Sequence, residues 1–358
     1  MKRSPIQDSG NVRAGCDMVL EIKNLSTHYH ITEGTVRAVD GVSLSVGEDQ
    51  VFGLAGESGC GKSTLIRTIM RLLPGSASVT AERLSFQGQD LLSLSDKAYR
   101  ENILWNEISL VPQSAMNSLN PVYRVGDQIT EVIQAHWDMG RKEARSLVER
   151  LFRGVGLQPE LTRSYPHQFS GGMRQRAMIA MSLALDPRLT IMDEPTTGLD
   201  VLVQERILRE LKEIRQRKKN PMSILLITHD ISVIAEMSDR IGIMYAGRIM
   251  EQADAIELFN EPFHPYTLGL KNAFPSIRQM DRELISIPGS PPSLIQEIPG
   301  CVFAFRCPFA MEVCREQRPP DLEVRPNHFV QCWRTDHVEE FRKRAGDKST
   351  WQSSKSMT

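Results

Sequence analysis

The chain has 358 residues, 41% hydrophobic and 24% charged, with a formal net charge of −1 and six cysteines. That length allows one large or two modest domains with a real core, and the charge balance excludes a broadly basic nucleic-acid binder. The longest apolar stretch, Ala177 to Leu185, is far too short to cross a bilayer.

The opening, Met1 to Asp17, is polar, carries Pro5, Gly10 and Gly15, and has no apolar core of a signal peptide. Residues 1–18 therefore read as a flexible tail. With no export signal and no span, the expected compartment is the cytoplasm, where cysteines are thiols or metal ligands rather than disulfides.

Val19-Leu20-Glu21-Ile22 begins an alternating segment that runs to Tyr29, and Val36 to Val46 resumes the alternation after Gly34. The pattern predicts two antiparallel strands in a small β-layer. Tyr29 lies near their turn, where an exposed ring would suit stacking on a nucleobase and a buried one would fill the layer. Spacing does not choose between the two.

Val51-Phe52-Gly53-Leu54-Ala55 predicts a buried strand, and Leu65 to Met70 the first turns of a helix. Between them stands Gly56-Glu57-Ser58-Gly59-Cys60-Gly61-Lys62-Ser63-Thr64, the pattern G-x-x-x-x-G-K-[ST]. Strand, glycine loop and helix are the context that makes this pattern a phosphate cradle. The glycines let backbone N–H groups turn toward an anion, and the helix start adds partial positive charge. Lys62 suits the β and γ phosphates, and the Ser63 hydroxyl suits Mg²⁺.

Ile108 to Val111 is a short apolar strand stopped by Pro112 and followed by Gln113 and the turn-rich stretch 114–121. From Val125 to Gly156 the apolar spacing is helical, which predicts a helical insert between parts of a sheet. Phe169-Ser170-Gly171-Gly172 opens another helix, with Ser170 as N-cap and bare glycine amides as a second anion site. Leu189 to Met192 is a buried strand that delivers Asp193 and Glu194, and Ser223 to Thr228 is another that delivers His229 and Asp230. Ligands in open α/β sheets sit at the carboxyl ends of strands, so Asp193, Glu194 and His229 are expected at the phosphates. Arg240 to Met250 reads as a closing hairpin. Past Asp254 prolines cluster, and that part is expected to be loop-rich; residues from about Lys343 onward read as polar and disordered.

With these motifs in order, the chain resembles the ATP-binding-cassette ATPases, and within them the ATPase subunits of bacterial dipeptide and oligopeptide importers. The resemblance spans about Val19 to Trp333. It implies an α/β fold of the ABC-type P-loop NTPase kind: a RecA-like core at 19–255 with an antiparallel β-layer, and a helical insert at about 114–169. A loop-rich, metal-binding extension at 256–342 and a flexible tail at 343–358 complete the expected organisation.

By the same resemblance, Gly56, Ser58, Gly59, Cys60, Gly61, Lys62, Ser63 and Thr64 hold the phosphates of ATP, and Tyr29 stacks on adenine. Ser63, Gln113 and Asp193 hold Mg²⁺. Glu194 is the general base, His229 the switch histidine, and Gln113 the residue that senses the permease. Ser170, Gly171 and Gly172 form the family signature, which faces ATP bound to a second cassette. Phe169 and Met173 depart from the commoner leucine and glutamine, a form common in the peptide-importer branch. The stretch Ala115 to Pro121 resembles that of one member of a pair of unlike ATPase subunits. A heterodimer beneath two permeases is thus expected, peripheral at the cytoplasmic face, fed by an extracytoplasmic binding protein and without nucleic acid. The solute itself stays open, since this branch also imports nickel chelates and oligosaccharides. The competing class is a soluble cassette ATPase acting on nucleic acid or ribosomes; such chains carry tandem cassettes or a long coiled-coil insert, and neither is present.

Cys301, Cys307, Cys314 and Cys332 fall in one Pro-rich segment with the spacing C-x5-C-x6-C-x17-C. The usual zinc knuckle is absent, and spacing alone leaves a [4Fe–4S] cluster, zinc and no metal open. The resemblance favours the cluster, because some peptide-importer ATPases carry one in this block.

Overall fold

The computed structural model describes residues 18–113, 118–217, 220–273 and 285–352. Residues 1–17, Ala115 to Asn117 and 353–358, which carried expectations above, lie outside the described residues. The strands in chain order are β1 (Met18–Ile31), β2 (Gly34–Gly47), β3 (Val51–Ala55), β4 (Ala77–Thr80), β5 (Arg83–Phe86), β6 (Gln89–Asp90) and β7 (Ile108–Val111). They continue with β8 (Leu189–Asp193), β9 (Ser223–Ile227), β10 (Arg240–Tyr245), β11 (Arg248–Asp254), β12 (Asp321–Arg325) and β13 (His328–Gln331). Among the described residues no helix is long and apolar enough to cross a membrane.

Contacts divide the chain into two compact units. The first takes residues 18–21, Ser45–Val51 and Ser85–Ile227. Its frame is a parallel set in which β8 lies between β7 and β9, with Ile191 opposite Leu110 on one side and Leu225 on the other. β8 and β9 are almost wholly buried, as expected of parallel strands covered on both faces. The helices Val125–His136 and Arg141–Gly154 pack on one another. Each buries one stripe at helical spacing, Val125, Ile129 and Ile133 on the first and Ala144, Val148 and Phe152 on the second. This is the expected helical segment. The helix Gly171–Ser182 is different, because residues from Ala177 to Ser182 are buried on every side.

The second unit takes Ile22–Leu44, Phe52–Leu84 and the described residues from Thr228 onward. β3 runs parallel to β10; β10 turns through Ala246 and Gly247 into antiparallel β11, and β13 and β12 extend that edge. β4 pairs antiparallel with β1. The expected break near residue 255 is not where the contacts divide the chain, since the segment beyond it shares a core with β3, β10 and β11.

Two expectations for the C-terminal part are corrected. The Pro-rich stretch is not merely loop: besides β12 and β13 it forms the helices Ala255–Asn260, Pro265–Ala273, Glu312–Glu316 and Val338–Arg344. Tyr245, Tyr266, Phe303, Phe341 and Trp351 cluster in one buried core. Nor is 343–352 a tail. Lys348–Gln352 is helical, Trp351 is buried, and its indole N–H donates to the Ala345 carbonyl at 3.0 Å. The charged face of these residues hid three buried positions: Ala345, Thr350 and Trp351.

Candidate functional site

β3 delivers the glycine loop, and the helix Lys62–Ile69 leaves it with Gly61 as N-cap. Gly61 has φ 111°, and a Cβ there would lie 2.1 Å from the Ala38 carbonyl oxygen, so only glycine fits. No side chain caps this helix start. Lys62 is buried, and its ammonium donates to the carbonyl oxygens of Gly56 at 2.7 Å and Glu57 at 3.0 Å. The Cys60 thiol is buried beside it, and burial raises its pKa. Tyr29 is half-buried, and its hydroxyl donates to Thr64 Oγ1 at 3.4 Å. His229 is exposed directly before Asp230, the N-cap of the helix Ile231–Met237, whose carboxylate accepts from Ser232 N at 2.9 Å.

The other unit holds the remaining motif residues. β8 ends on Asp193, and Glu194 follows with φ 49°, a left-handed conformation uncommon for a side chain of this size. Its N–H donates to the Ile227 carbonyl at 2.7 Å. Gln113, just past β7, donates from Nε2 to Glu194 Oε2 at 2.9 Å, and the Thr197 hydroxyl donates to the same oxygen at 3.0 Å. The sequence thus brings together Gln113 and Glu194, which lie 81 residues apart. Ser170 caps Gly171–Ser182 as expected, its hydroxyl accepting from Met173 N at 3.3 Å. Gly172 faces Val203 so closely that a Cβ would lie 2.5 Å from its Cγ1.

Sequence reasoning passed over several residues around the loop. The Arg306 guanidinium donates to both carboxylate oxygens of Glu57, at 3.0 and 2.9 Å, and to the Tyr245 hydroxyl at 3.1 Å. Burial works against its charge, but the hydrogen bonds with Glu57 and Tyr245 prevail and its pKa is raised. Tyr266 accepts from Glu57 N at 3.2 Å, and burial pushes its phenol up.

The four cysteines of the extension line one cavity, whose walls are mostly apolar, Phe303 and Phe309 among them, but include His264 and Arg334. Burial pushes the Cys301 thiol up to about 11, Cys332 up to about 12 and Cys307 well above the ordinary value. Arg334 N donates to Cys332 Sγ at 3.4 Å. The expected metal-binding character of the extension is not supported, however: among the described residues no group of three or more His, Cys, Asp or Glu could hold a metal ion. A single ion such as zinc needs its ligand atoms at about 2.0–2.3 Å from one point.

A buried strand, a glycine turn that leaves no room for a Cβ at Gly56 or Gly61, and a helix carrying a buried lysine define a P-loop nucleotide-binding protein. Residues 39–197 match the ABC transporter family, and residues 250–314 match the oligopeptide/dipeptide transporter C-terminal region. The chain is 44% identical over 326 residues to a probable peptide ABC transporter ATP-binding protein of Sinorhizobium fredii, covering 90% of this chain and 96% of that one. It is 43% identical over 334 residues to the dipeptide transport ATP-binding protein DppD of Bacillus subtilis, covering 92% and 99%. To the oligopeptide transport ATP-binding protein OppD of the same species it is 41% identical over 319 residues, covering 88% of each. Among solved structures, a bacterial ABC transporter cassette in dimeric form aligns with TM-score 0.59 and 25% identity over 66% of this chain and 98% of that one. The chain belongs to the ABC transporter family and is an ABC-type ATPase.

Proposed function

We propose that this chain is the ATP-hydrolysing subunit that powers import of peptides, or of a related small solute. The observation that carries this reading is the joining, in one chain, of an ABC transporter region at 39–197 to an oligopeptide/dipeptide transporter C-terminal region at 250–314. The same pairing argues against a soluble cassette that acts on nucleic acid or ribosomes. The chain would pair with a second, unlike ATPase subunit beneath two permeases, peripheral at the cytoplasmic face, and be served indirectly by an extracytoplasmic binding protein.

The residue roles follow the motifs. The loop from Gly56 to Thr64, with Ser58, Gly59, Cys60 and Gly61 between, wraps the ATP phosphates, and Lys62 leaves the carbonyls of Gly56 and Glu57 to meet the β and γ oxygens. Tyr29 stacks on adenine. Ser63, Asp193 and Gln113 would hold Mg²⁺, which offsets charge on the phosphates when bound. Glu194 takes a proton from the attacking water, and His229 orients that water and the γ-phosphate. Ser170, Gly171 and Gly172 present hydroxyl and amide donors to ATP held by the partner cassette. Assembly with the permeases and the second ATPase in proteoliposomes tests this. ATP turnover should rise with a dipeptide-loaded binding protein and drive labelled dipeptide inward. Turnover indifferent to permeases and binding protein would overturn it.

A second reading concerns the extension. Cys301, Cys307, Cys314 and Cys332 would hold a [4Fe–4S] cluster, which as a four-sulfur cage needs thiolates spread around a cavity rather than around one point. Support comes from the four cysteines sharing one apolar cavity and from the N–H of Arg334 directed at the Cys332 sulfur.

A further inference from the structure

Glu57 occupies a variable position of the phosphate loop and has no part in the chemistry above, yet both its side chain and its backbone N–H are tethered to residues outside that loop. Arg306 Nη1 bonds both its carboxylate oxygens and reaches Tyr245 Oη. Arg306 Nε donates to the Pro288 carbonyl at 2.9 Å, and Nη2 to the Ile287 carbonyl at 3.3 Å. The arginine side chain is 8% exposed and the glutamate 25%. Tyr266 holds the Glu57 N–H. The loop residue is therefore gripped through its side chain by Arg306, itself braced by Tyr245 of β10, and through its backbone by Tyr266. Its own carbonyl, with that of Gly56, is where Lys62 rests.

The electrostatics give this grip a purpose. A carboxylate beside a site for three phosphates repels them, and in a half-buried position solvent screens that repulsion poorly. A guanidinium bonded to both oxygens neutralises the carboxylate and fixes its direction. We propose that Arg306 is a positioning residue for ATP: it keeps the Glu57 carboxylate neutralised and turned from the phosphates, and so fixes the Gly56–Glu57 turn. The inference rests on Gly56–Thr64 being the phosphate loop, but does not require any metal at the cysteines.

The test is Mg·ATP affinity of the full-length chain, with kcat and KM in the assembled complex. R306A leaves an unneutralised carboxylate at the loop and should weaken Mg·ATP binding about tenfold, with KM raised to match and kcat within about twofold. Adding E57Q removes the carboxylate, and the double variant should recover most of that loss, which a purely structural arginine would not allow. R306K keeps the charge but cannot reach Glu57, Tyr245 and the Pro288 carbonyl together; it should lose a few fold, again restored by E57Q. If R306A does not fold, R306K with and without E57Q decides the matter. Wild-type affinity in the arginine variants, or no recovery with E57Q, overturns the proposal. A wild-type chain that fails to bind Mg·ATP would instead overturn the phosphate-loop reading.

Discussion

Glu194 Oε2 accepts two hydrogen bonds at once, from the Gln113 amide at 2.9 Å and the Thr197 hydroxyl at 3.0 Å. Both donors are neutral, so they orient the carboxylate without cancelling the charge a general base needs. Gln113 thereby ties the end of β7 to the residue after β8.

E194Q keeps an acceptor oxygen for Gln113 and Thr197 but cannot take a proton from water. Hydrolysis in the assembled complex is expected to fall by about 10²–10⁴, with Mg·ATP binding unchanged. Steady-state turnover and nucleotide retention measure this. Hydrolysis near the wild-type rate would remove Glu194 from the role of base.

The Gly172–Val203 contact predicts a paired effect. G172A sets a Cβ 2.5 Å from Val203 Cγ1, an overpacking that should destabilise the first unit by about 1–3 kcal/mol. V203A vacates that space, so G172A/V203A should recover most of the lost thermal stability. If V203A gives no recovery in a melting experiment, the glycine is not required by packing.

Motif residues were legible because their signals are local: strand, glycine loop and helix lie within about twenty residues, and Ser170 caps the helix it precedes. What lay beyond reach is pairing across the chain. Arg306 and Glu57 are 249 residues apart and look like ordinary surface charges, and Glu251 and His328 are 77 apart. Proline spacing also misled. It marked loops correctly around residues 288–300 but concealed an aromatic core whose members are dispersed from Tyr245 to Trp351.

His328 predicts a pH dependence. Fully buried, it lies 2.8 Å from Glu251 through Nε2 and 3.1 Å from Glu257 through Nδ1. Among the described residues only Nε2 is hydrogen-bonded, to Glu251, and the cation adds attraction to the Glu257 carboxylate beside Nδ1. Burial opposes the charge, yet hydrogen bonding and attraction to the two glutamates raise the pKa. A raised histidine pKa gives stability that is full below the unfolded value of about 6.5 and lost as pH rises through the folded value. Glu257 has a lowered pKa despite its desolvation, because His328 and Arg325 favour the anion, so its own loss comes only in stronger acid. H328Q should therefore cost about 3 kcal/mol near pH 6, with the gap in Tm to wild type narrowing toward pH 8.5. A gap independent of pH would show that His328 is not held as the cation.

The four cysteines give the last prediction. Cys301, Cys307 and Cys332 have pKa values pushed up by burial, so near neutral pH they keep their protons unless a metal takes their place. Protein purified without oxygen should be brown, with about four irons per chain, and C307S should be colourless. The fold consequence is smaller than the Pro-rich composition suggests. Phe303, Phe309, Phe341 and Trp351 are buried in the core they share with β10 and β11, which supplies the cohesion that a metal cross-link would otherwise provide. C307S should therefore lose iron while residues 285–352 stay resistant to limited proteolysis. Rapid cleavage there would make the cluster a structural staple after all. Wild-type protein with zinc and no iron, or with no metal at all, would withdraw the cluster altogether.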